Sequence, residues 1–412
     1  MNKKFTIFAL AMFSTFAVKA QQVISEEVTL GTSNDVYYNL SNQLKTPTDR
    51  TDWDISFYRK SLYSAGIRIN DAAGIKLYEV SDDFSKWNDV NVNDQSSWDE
   101  LYNSDTSWVD GAFNQGSDDY GWGYYEQIPN HIVKGTVVFV LKYTDNKYVK
   151  LKINDLTYGV YNFTYSKWEN GAWSNDITTS VDNASSPNTI FTYYSILKDQ
   201  ITKPEPSQDN WDLKFTKYIT PIQTSTGVVP YSVTGVLQSD LIQVAKTEEG
   251  SPTDNKEYLS AINTIGYNWK TGSGNYTMVK RNHFIKNTST NKIYKLIFKS
   301  FEGGSSAKTT FDYEDVTSTL GISDIEKTKF GIYTDVNQSK TISIVYNSQE
   351  ASSSNIAVAI YSINGQLVHQ ENYKPTGSFT NKSINLSRLS AGVYIVKLQS
   401  GGKTESKKVV LR

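Results

Sequence analysis

The feature that most constrains the fold is a pattern of short runs in which β-branched and aromatic residues alternate with polar ones. Three examples are GTVVFVLKY (135–143), KIYKLIFKSF (292–301) and IAVAIYSI (356–363). Side chains alternate between the two faces of a strand, so such runs favour β-strands over helices. Clusters of Asn, Asp, Gly and Ser separate the runs and are typical of turns. The sequence therefore predicts an all-β protein.

The composition supports packed domains rather than a disordered chain. Aromatic residues make up 13% of the 412 residues, and the formal net charge is −2. Disordered chains have few aromatics and a large net charge. A near-neutral balance also gives no general attraction to nucleic acid or anionic lipid, so neither is expected as a partner. The chain has no cysteine, which excludes disulfides, thiolate metal sites, cysteine nucleophiles and lipid attachment through an N-terminal Cys.

The N-terminus has the pattern of a secretory signal peptide. Lys3 and Lys4 form a basic start, an apolar run follows from Phe5 to Val18, and small residues stand before Gln21. This pattern predicts a signal peptide over residues 1–20 and a mature protein outside the inner membrane. Elsewhere the sequence has no apolar run long enough to cross a bilayer, so the mature chain is expected to lack an integral membrane span.

Blocks of similar sequence recur in the same order in two halves of the chain. The paired blocks are TDWDISFYRK (51–60) with DNWDLKFTKY (209–218), and NKYVKLKI (146–153) with NKIYKLIF (291–298). An aromatic run precedes each Trp-Asp block. Similar blocks in the same order indicate repeated structural units, so we predict two similar antiparallel β-modules, 24–175 and 186–318. Trp53 and Trp211 are predicted to lie in the cores.

The first module contains an acidic and aromatic stretch at 82–126. We predict an extended loop over the end of the module, with a short helix at SSWDELYN (96–103). Long loops on β scaffolds often carry binding function. The acidic pairs Asp82-Asp83 and Asp118-Asp119 are oxygen donors of the kind that Ca²⁺ prefers, although they lack EF-hand spacing. A solvated acidic surface is the alternative interpretation.

The sequence from about residue 327 changes to a compact seven-strand rhythm. Its informative runs are IAVAIYSINGQLVHQ (356–370), INLSRLSAGVYIVKLQSGGKTES (384–406) and KKVVLR (407–412). Asn364-Gly365 between two β runs predicts a type I′ hairpin turn. These motifs resemble the C-terminal sorting domain of type IX secretion cargo. The resemblance implies an immunoglobulin-like β-sandwich over 327–412, the type IX secretion machinery as a partner, and a secreted or outer cell-surface location.

The two modules resemble the HmuY haemophore family. The blocks that carry the resemblance include YYSILKDQITKPEPSQDNWDLKFTKY (193–218), VTGVLQSDLIQVAKT (233–247) and YTMVKRNHFIKNTSTNKIYKLIFKSF (276–301) in the second module, and GTVVFVLKYTDNKYVKLKI (135–153) in the first. The resemblance implies haem as cofactor, haem or haemoproteins as partners, and a role in iron acquisition without catalysis. The histidine ligands of that family do not transfer to this sequence.

Five residues are candidates for haem contact. Haem iron takes imidazole, thioether or tyrosinate donors. Between the signal peptide and the C-terminal domain, the donors other than tyrosine are His131, Met278 and His283. Met278 and His283 are five positions apart, so on one strand they would point to opposite faces. Trp122 and Trp269 offer flat rings on which a porphyrin or sugar stacks, with core packing as the alternative.

The sequence contains no recognisable catalytic motif. GxSxG, HExxH, P-loop and dinucleotide-binding patterns are absent, and the chain has three histidines. We therefore expect a protein that is not an enzyme. The leading hypothesis is a secreted or surface-exposed haem- or porphyrin-binding protein. The alternative is a non-catalytic surface protein that binds a glycan or another protein and has no haem site; a hydrolase with paired carboxylates is a third hypothesis, without motif support.

Overall fold

The computed structural model describes residues 22–60, 65–127, 131–248, 256–317, 328–334, 340–348, 355–374, 379–400 and 403–411. Strands dominate the described residues, and the helical elements are short 3₁₀ turns, so the all-β prediction is confirmed. The chain divides into two compact units, Met1–Thr317 and Ser318–Arg412. The predicted signal peptide lies outside the described residues. Within the described residues, no helix is long and apolar enough to span a bilayer.

The described N-terminal unit contains 24 strands joined mostly by short turns. They are β1 (Ile24–Thr29), β2 (Asn34–Tyr38), β3 (Lys45–Asp49), β4 (Ile55–Tyr58), β5 (Ile67–Ile69), β6 (Lys76–Ser81), β7 (Asp99–Leu101), β8 (Gly123–Glu126), β9 (Ile132–Gly135), β10 (Val138–Lys142), β11 (Tyr148–Thr157), β12 (Val160–Glu169), β13 (Ala172–Trp173), β14 (Ile177–Asp182), β15 (Phe191–Ser195), β16 (Gln200–Thr202), β17 (Leu213–Thr224), β18 (Gly227–Gln238), β19 (Ile242–Glu248), β20 (Lys270–Thr271), β21 (Thr277–Met278), β22 (Arg281–Asn287), β23 (Ile293–Glu302) and β24 (Lys308–Asp315). The 3₁₀ turns are Arg50–Asp52, Asp71–Ala73, Phe84–Asp89, Val92–Ser97, Ala112–Gln115, Asn183–Ser185 and Gln208–Asn210.

Two hydrophobic cores form within the N-terminal unit. The first lies between a sheet in the order β13-β12-β11-β10-β6-β7, extended by β8, β9 and β14, and a second sheet in the order β16-β15-β4-β5. Phe57 and Phe163 from the two sheets meet in this core. The second core lies between the sheets β1-β24-β23-β22-β19 and β18-β17-β2-β3, where Phe215 stacks on Phe311.

The strands at the start of each half pack on the core of the other half. β1 to β3 join the second core, since β1 pairs with β24 and β2 pairs with β17. β14 to β16 complete the first core, since β14 pairs with β12 and β15 pairs with β4. The segment Ile24–Asp49 therefore packs with strands more than 160 positions away. The module bounds 24–175 and 186–318 remain a prediction from sequence similarity. Each core combines strands from both of these segments.

The two Trp-Asp blocks build the same corner twice. Trp53 meets Tyr193 edge to face at 5.0 Å between ring centroids, and Trp211 meets Tyr37 at 5.0 Å. Both indoles are buried, as predicted from the sequence. Asp54 accepts a hydrogen bond from the backbone N–H of Leu197 at 3.0 Å. Its counterpart Asp212 accepts one from the N–H of Leu40 at 2.7 Å, and burial raises the pKa of both carboxyls.

The acidic stretch 82–126 packs on the rest of the unit, which corrects the predicted extended loop: its first part covers a sheet face, and Phe113 and Trp122 lie in the first core. The 3₁₀ turns Phe84–Asp89 and Val92–Ser97 hold Trp87 and Val90 against β10. The short helix predicted at 96–103 is wrong, because Asp99–Leu101 pairs with β6 as strand β7. Alternating contacts to an existing sheet edge outweigh the weak helical propensity of this short segment.

The described residues of the C-terminal unit form seven strands in two sheets, which confirms the sandwich prediction. The strands are β25 (Thr328–Thr334), β26 (Thr341–Ser348), β27 (Ile356–Ser362), β28 (Leu367–Tyr373), β29 (Phe379–Asn385), β30 (Gly392–Ser400) and β31 (Lys403–Leu411). The sheet β25-β26-β29 faces the sheet β28-β27-β30-β31, and Ile344, Ile384, Val358 and Val396 fill the core between them.

The hairpin between β27 and β28 differs from the predicted type I′ turn. Gly365 has a positive φ of 82°, and Asn364 does not. The N–H of Gly365 donates to the carbonyl of Ser362 at 2.9 Å, and the N–H of Ser362 donates to Gln366 at 2.8 Å. This pattern is a type I turn followed by a left-handed glycine. The turn residues were recognised from the sequence, but the loop is longer than two residues.

Candidate functional site

Both tryptophans predicted to stack on a ligand are packed inside the cores. Trp122 is fully buried, and its indole N–H donates to the carbonyl of Ala65 at 2.9 Å. Trp269 is buried against Phe298, with ring centroids 4.0 Å apart and planes 16° apart. A porphyrin or sugar could reach these rings only by displacing core side chains. The positions of both rings agree with the alternative interpretation, which is core packing.

The three predicted iron donors occupy different places. His131 is exposed before β9 and shares a 2.7 Å hydrogen bond between its Nδ1 and the hydroxyl of Tyr125. Met278 is half-buried in β21 against the second core. His283 is buried in β22 beside Phe298. His131 thus belongs to the first core's sheet, and the other two lie on separate strands of the second core.

His283 is poorly placed to bind a ligand. Burial, together with the positive charges of Lys246 and Arg281, lowers the pKa of its imidazole to about 3. The ring is therefore neutral at physiological pH, and neither ring nitrogen is exposed to solvent. Its position inside the sheet between β19 and β23 closes it to any group as large as a porphyrin.

The N-terminal unit has a cleft of about 650 Å³ beside the second core. One wall is the hairpin of β17 and β18, whose ladder runs to the pair Thr224 and Gly227. The other wall is formed by the turns around 271–276 and 303–304. The side chains relevant to binding are Lys217, Tyr231, Tyr267, Lys270, Tyr276 and Phe301.

Glycines shape the second wall of this cleft. Gly272 and Gly274 have φ values of +97° and +79°, which β-carbon-bearing residues rarely adopt. A Cβ on Gly303 would lie 2.7 Å from the ring of Tyr276. That ring in turn meets Phe301 edge to face at 4.8 Å. The glycine at 303 therefore leaves the space that the Tyr276 ring occupies at the cleft wall.

Lys270 is the most unusual charged group of the cleft. Its Nζ lies 4.2 Å from the centroid of the Trp269 ring and 4.5 Å from that of Phe301. It donates a hydrogen bond to the carbonyl of Thr234 at 2.6 Å. Within the described residues, no carboxylate pairs with it, and burial lowers its pKa to about 8. The cleft thus holds a cation that aromatic faces and a carbonyl stabilise but no anion neutralises.

A second opening of about 480 Å³ lies on another side of the same hairpin. Two of its carboxylates already have partners inside the protein. Glu100 pairs with Lys76 at 3.0 Å, and Asp105 accepts from Asn263 at 2.9 Å. In the described parts of the chain, no three His, Cys, Asp or Glu side chains are grouped to hold a metal ion. Glu100 and Asp105 therefore act in the internal hydrogen bonding of this unit.

The sequence alone did not point to Lys217, Lys270 or Tyr276. Lys217 lies more than 50 positions before Lys270 and Tyr276, and a lysine among loop residues carries no distinctive pattern. The available signal was the glycine-rich turn TGSGN at 271–275, which indicates an unusual backbone. That signal locates a turn but not a cleft.

A known family matches part of the C-terminal unit. Residues 336–412 match the secretion system C-terminal sorting domain. This sorting domain spans strands β26 to β31 of the sandwich. It marks the protein as a type IX secretion cargo that reaches the cell surface or the medium, and the secretion machinery as its partner. No curated protein matches the chain, and the matched family does not extend to residues 22–317.

Proposed function

We propose that the protein is a non-catalytic, exported binding protein whose N-terminal unit captures a small ligand with an anionic group beside a flat ring. The observation that carries the proposal is Lys270, a partly buried ammonium without a described carboxylate partner in a ligand-sized cleft. Ligand pockets typically measure about 300–1,000 Å³, which includes this cleft.

An anion bound in the cleft would neutralise the positive charge of Lys270. A buried charge is costly unless it is paired and hydrogen-bonded. Lys217 adds a second positive charge to the lining, and the lining contains no Asp, Glu or His among the described residues. A carboxylate or a similar anion placed near Lys270 would therefore gain attraction without a competing internal partner.

The ring face of the ligand is inferred from the aromatic side chains. Tyr276 and Phe301 form one side of the cleft. Tyr231, which is 59% exposed, belongs to the hairpin on the other side. Aromatic rings favour flat partners, whether these are aromatic or the apolar face of a sugar ring. The arrangement favours a ligand that is held between the two walls.

Haem is one member of this ligand class, because it is flat and carries two carboxylates. The cleft offers Tyr267 and Tyr276 as oxygen donors, and tyrosinate is an established haem ligand type. His131, Met278 and His283 do not line the cleft. Iron acquisition is accordingly the narrower form of the proposal, and an acidic glycan is the competing ligand within the same class.

Calorimetric titration of the mature chain tests the proposal. The probes are haemin, metal-free protoporphyrin IX and an oligogalacturonate. We expect one of them to bind at micromolar concentration, and Lys270→Met to weaken it about tenfold, equivalent to about 1.4 kcal/mol. Lys299→Met, on the exposed side of β23, is the matched control and should bind as the unmodified protein.

The comparison of haemin with protoporphyrin IX separates iron ligation from ring capture. Tighter binding of haemin, together with an absorbance change in Tyr276→Phe or Tyr267→Phe, supports haem capture. Equal binding supports recognition of the carboxylated ring. The proposal fails if none of the probes binds, or if Lys270→Met binds as well as the unmodified chain.

A further inference from the structure

The sheet β28-β27-β30-β31 of the sorting domain has an unusual outer face. Tyr394, Val396, Leu398 and Val409 point into the sandwich core, so the alternate positions point outward. An antiparallel sheet with one solvated face normally carries polar residues there. Here the outward positions include several large apolar side chains.

The outward side chains form one row across the four strands, with apolar residues on three strands and a lysine on the fourth. Leu367 on β28 stands opposite Tyr361 on β27, and Tyr361 stands opposite Ile395 on β30. Ile395 in turn stands opposite Lys408 on β31. We name these four residues the cross-strand row. Direct cross-strand neighbours lie about 5 Å apart, so the row is a continuous band.

The row is open to solvent. Leu367 is 46% exposed and Ile395 is 42% exposed, and Val410, which pairs with Val393 beside the row, is 51% exposed. Isolated exposed apolar residues are ordinary, but contiguous patches usually mark a protein interaction site. The register makes this patch contiguous, so it is a candidate interface rather than scattered surface.

The charged residues beside the cross-strand row indicate which kind of partner fits it. Lys408 ends the row, and Lys397, two positions after Ile395, shares its face. The outward positions that the structure describes on these strands include no Asp or Glu. Complementary surfaces pair opposite charges at the rim and apolar groups at the centre. The fitting partner is a protein with an apolar groove bordered by carboxylates.

We propose that the cross-strand row is the surface by which this sorting domain docks on such a groove of the type IX secretion machinery. The inference depends on export through the sorting domain and is independent of the ligand in the cleft. It assigns recognition to a folded sheet face rather than to the terminal residues alone.

Export of full-length variants from a host with a type IX system tests the docking surface. Leu367→Ser, Ile395→Ser and Lys408→Glu should each lower the extracellular fraction about tenfold, as expected for central interface residues, with accumulation in the periplasm. Leu44→Ser changes an equally exposed leucine of the N-terminal unit (44%) and should export normally. Lys407→Glu reverses the charge of the neighbouring residue, whose side chain has the opposite parity on β31, and should also export normally.

A folding control separates docking from stability. Each variant, purified from cytosolic expression, should unfold at the same temperature as the unmodified protein. Normal export of Leu367→Ser and Ile395→Ser would overturn the proposal. Normal export combined with a changed oligomeric state would also overturn it and identify the row as a contact between copies of the chain.

Discussion

Each of the two cores of the N-terminal unit has its own copy of the Trp-Asp corner, but the two cores differ at one end. In the first core, β8 and β9 pair with each other and β9 joins β11, and Trp122, directly before β8, is fully buried. In the second core, β20 and β21 form a separate two-stranded sheet, and the glycine-rich turns around them border a cleft. The comparison indicates that the repeated framework supplies stability, whereas the end elements supply binding.

The largest expected effect tests the shared corner. Trp53→Ala and Trp211→Ala should each lower the free energy of unfolding by about 4 kcal/mol, as for other buried large-to-small changes. Both lose an edge-to-face contact with a tyrosine at 5.0 Å. Urea denaturation of the mature chain measures the change. Trp173→Ala, on a half-buried ring that packs against a smaller hydrophobic cluster, is the control with a smaller loss. A large loss in only one of the two corner variants would show that the corners are not equivalent.

The next prediction concerns the loss of stability in acid, which should differ between the two cores. His283 stands opposite Leu296 as Phe139 stands opposite Leu151, so only the second core has a titratable group there. Its folded pKa of about 3 lies below the ordinary 6.5, so protonation favours the unfolded state. Its contribution to stability is complete above pH 6.5 and is lost as the pH falls towards 3.

His283→Phe should remove this sensitivity. Between pH 7 and pH 4 the unmodified protein should lose about 3 kcal/mol through this group, estimated from the pKa shift. Urea titrations at several pH values measure the slope for both proteins. An unchanged slope in His283→Phe would mean that other groups cause the acid sensitivity.

Glu205 lies between β16 and β17. It should make the free energy of unfolding depend on pH in the opposite direction, and by a smaller amount, than His283 does. Its carboxylate accepts hydrogen bonds from the N–H of Ile190 at 2.8 Å and from the hydroxyl of Tyr193 at 2.9 Å. Burial raises its pKa from 4.5 to about 7. The folded state therefore binds a proton more tightly, and this stability is complete below pH 4.5 and is lost as the pH rises through 7.

Glu205→Gln should flatten the pH dependence in that window. The expected change between pH 4.5 and 7 is about 2–3 kcal/mol, less than for the histidine. Thermal unfolding at pH 5, 6, 7 and 8 provides the measurement. Glu257→Gln, for which no comparable burial occurs, is the matched control. Equal pH slopes for Glu205→Gln and the unmodified protein would contradict the assignment.

The substitution with the smallest expected effect on stability tests whether the binding end can be changed without affecting the framework. Tyr231→Ala removes an exposed ring of the β17–β18 hairpin and should change the free energy of unfolding by less than about 0.5 kcal/mol, as surface substitutions usually do. Ligand binding in the cleft should nevertheless weaken measurably in calorimetry. Equal ligand affinity would exclude the hairpin from the binding surface.

Particular residues show how far sequence reasoning reached. Trp53 and Trp211 were assigned to the cores because they recur beside an Asp at matching places, and the corners have that form. Trp122 and Trp269 are candidates for ligand stacking because their rings are flat, and core packing is the alternative. Their burial results from strands elsewhere in the chain, which no local pattern reports. Lys270 is unusual only through what surrounds it, so its type and spacing gave no signal.

The sequence by itself determined the β class, the sandwich of the sorting domain and the export route. These follow from side-chain alternation and short motifs, which depend on neighbouring residues. Only the tertiary structure decided that β1 pairs with β24, that the two halves exchange strands, and that Lys270 borders a cleft. The physical reason is that strand pairing and burial join segments up to about 290 positions apart, and such contacts are set by the packing of the whole core rather than by local preference.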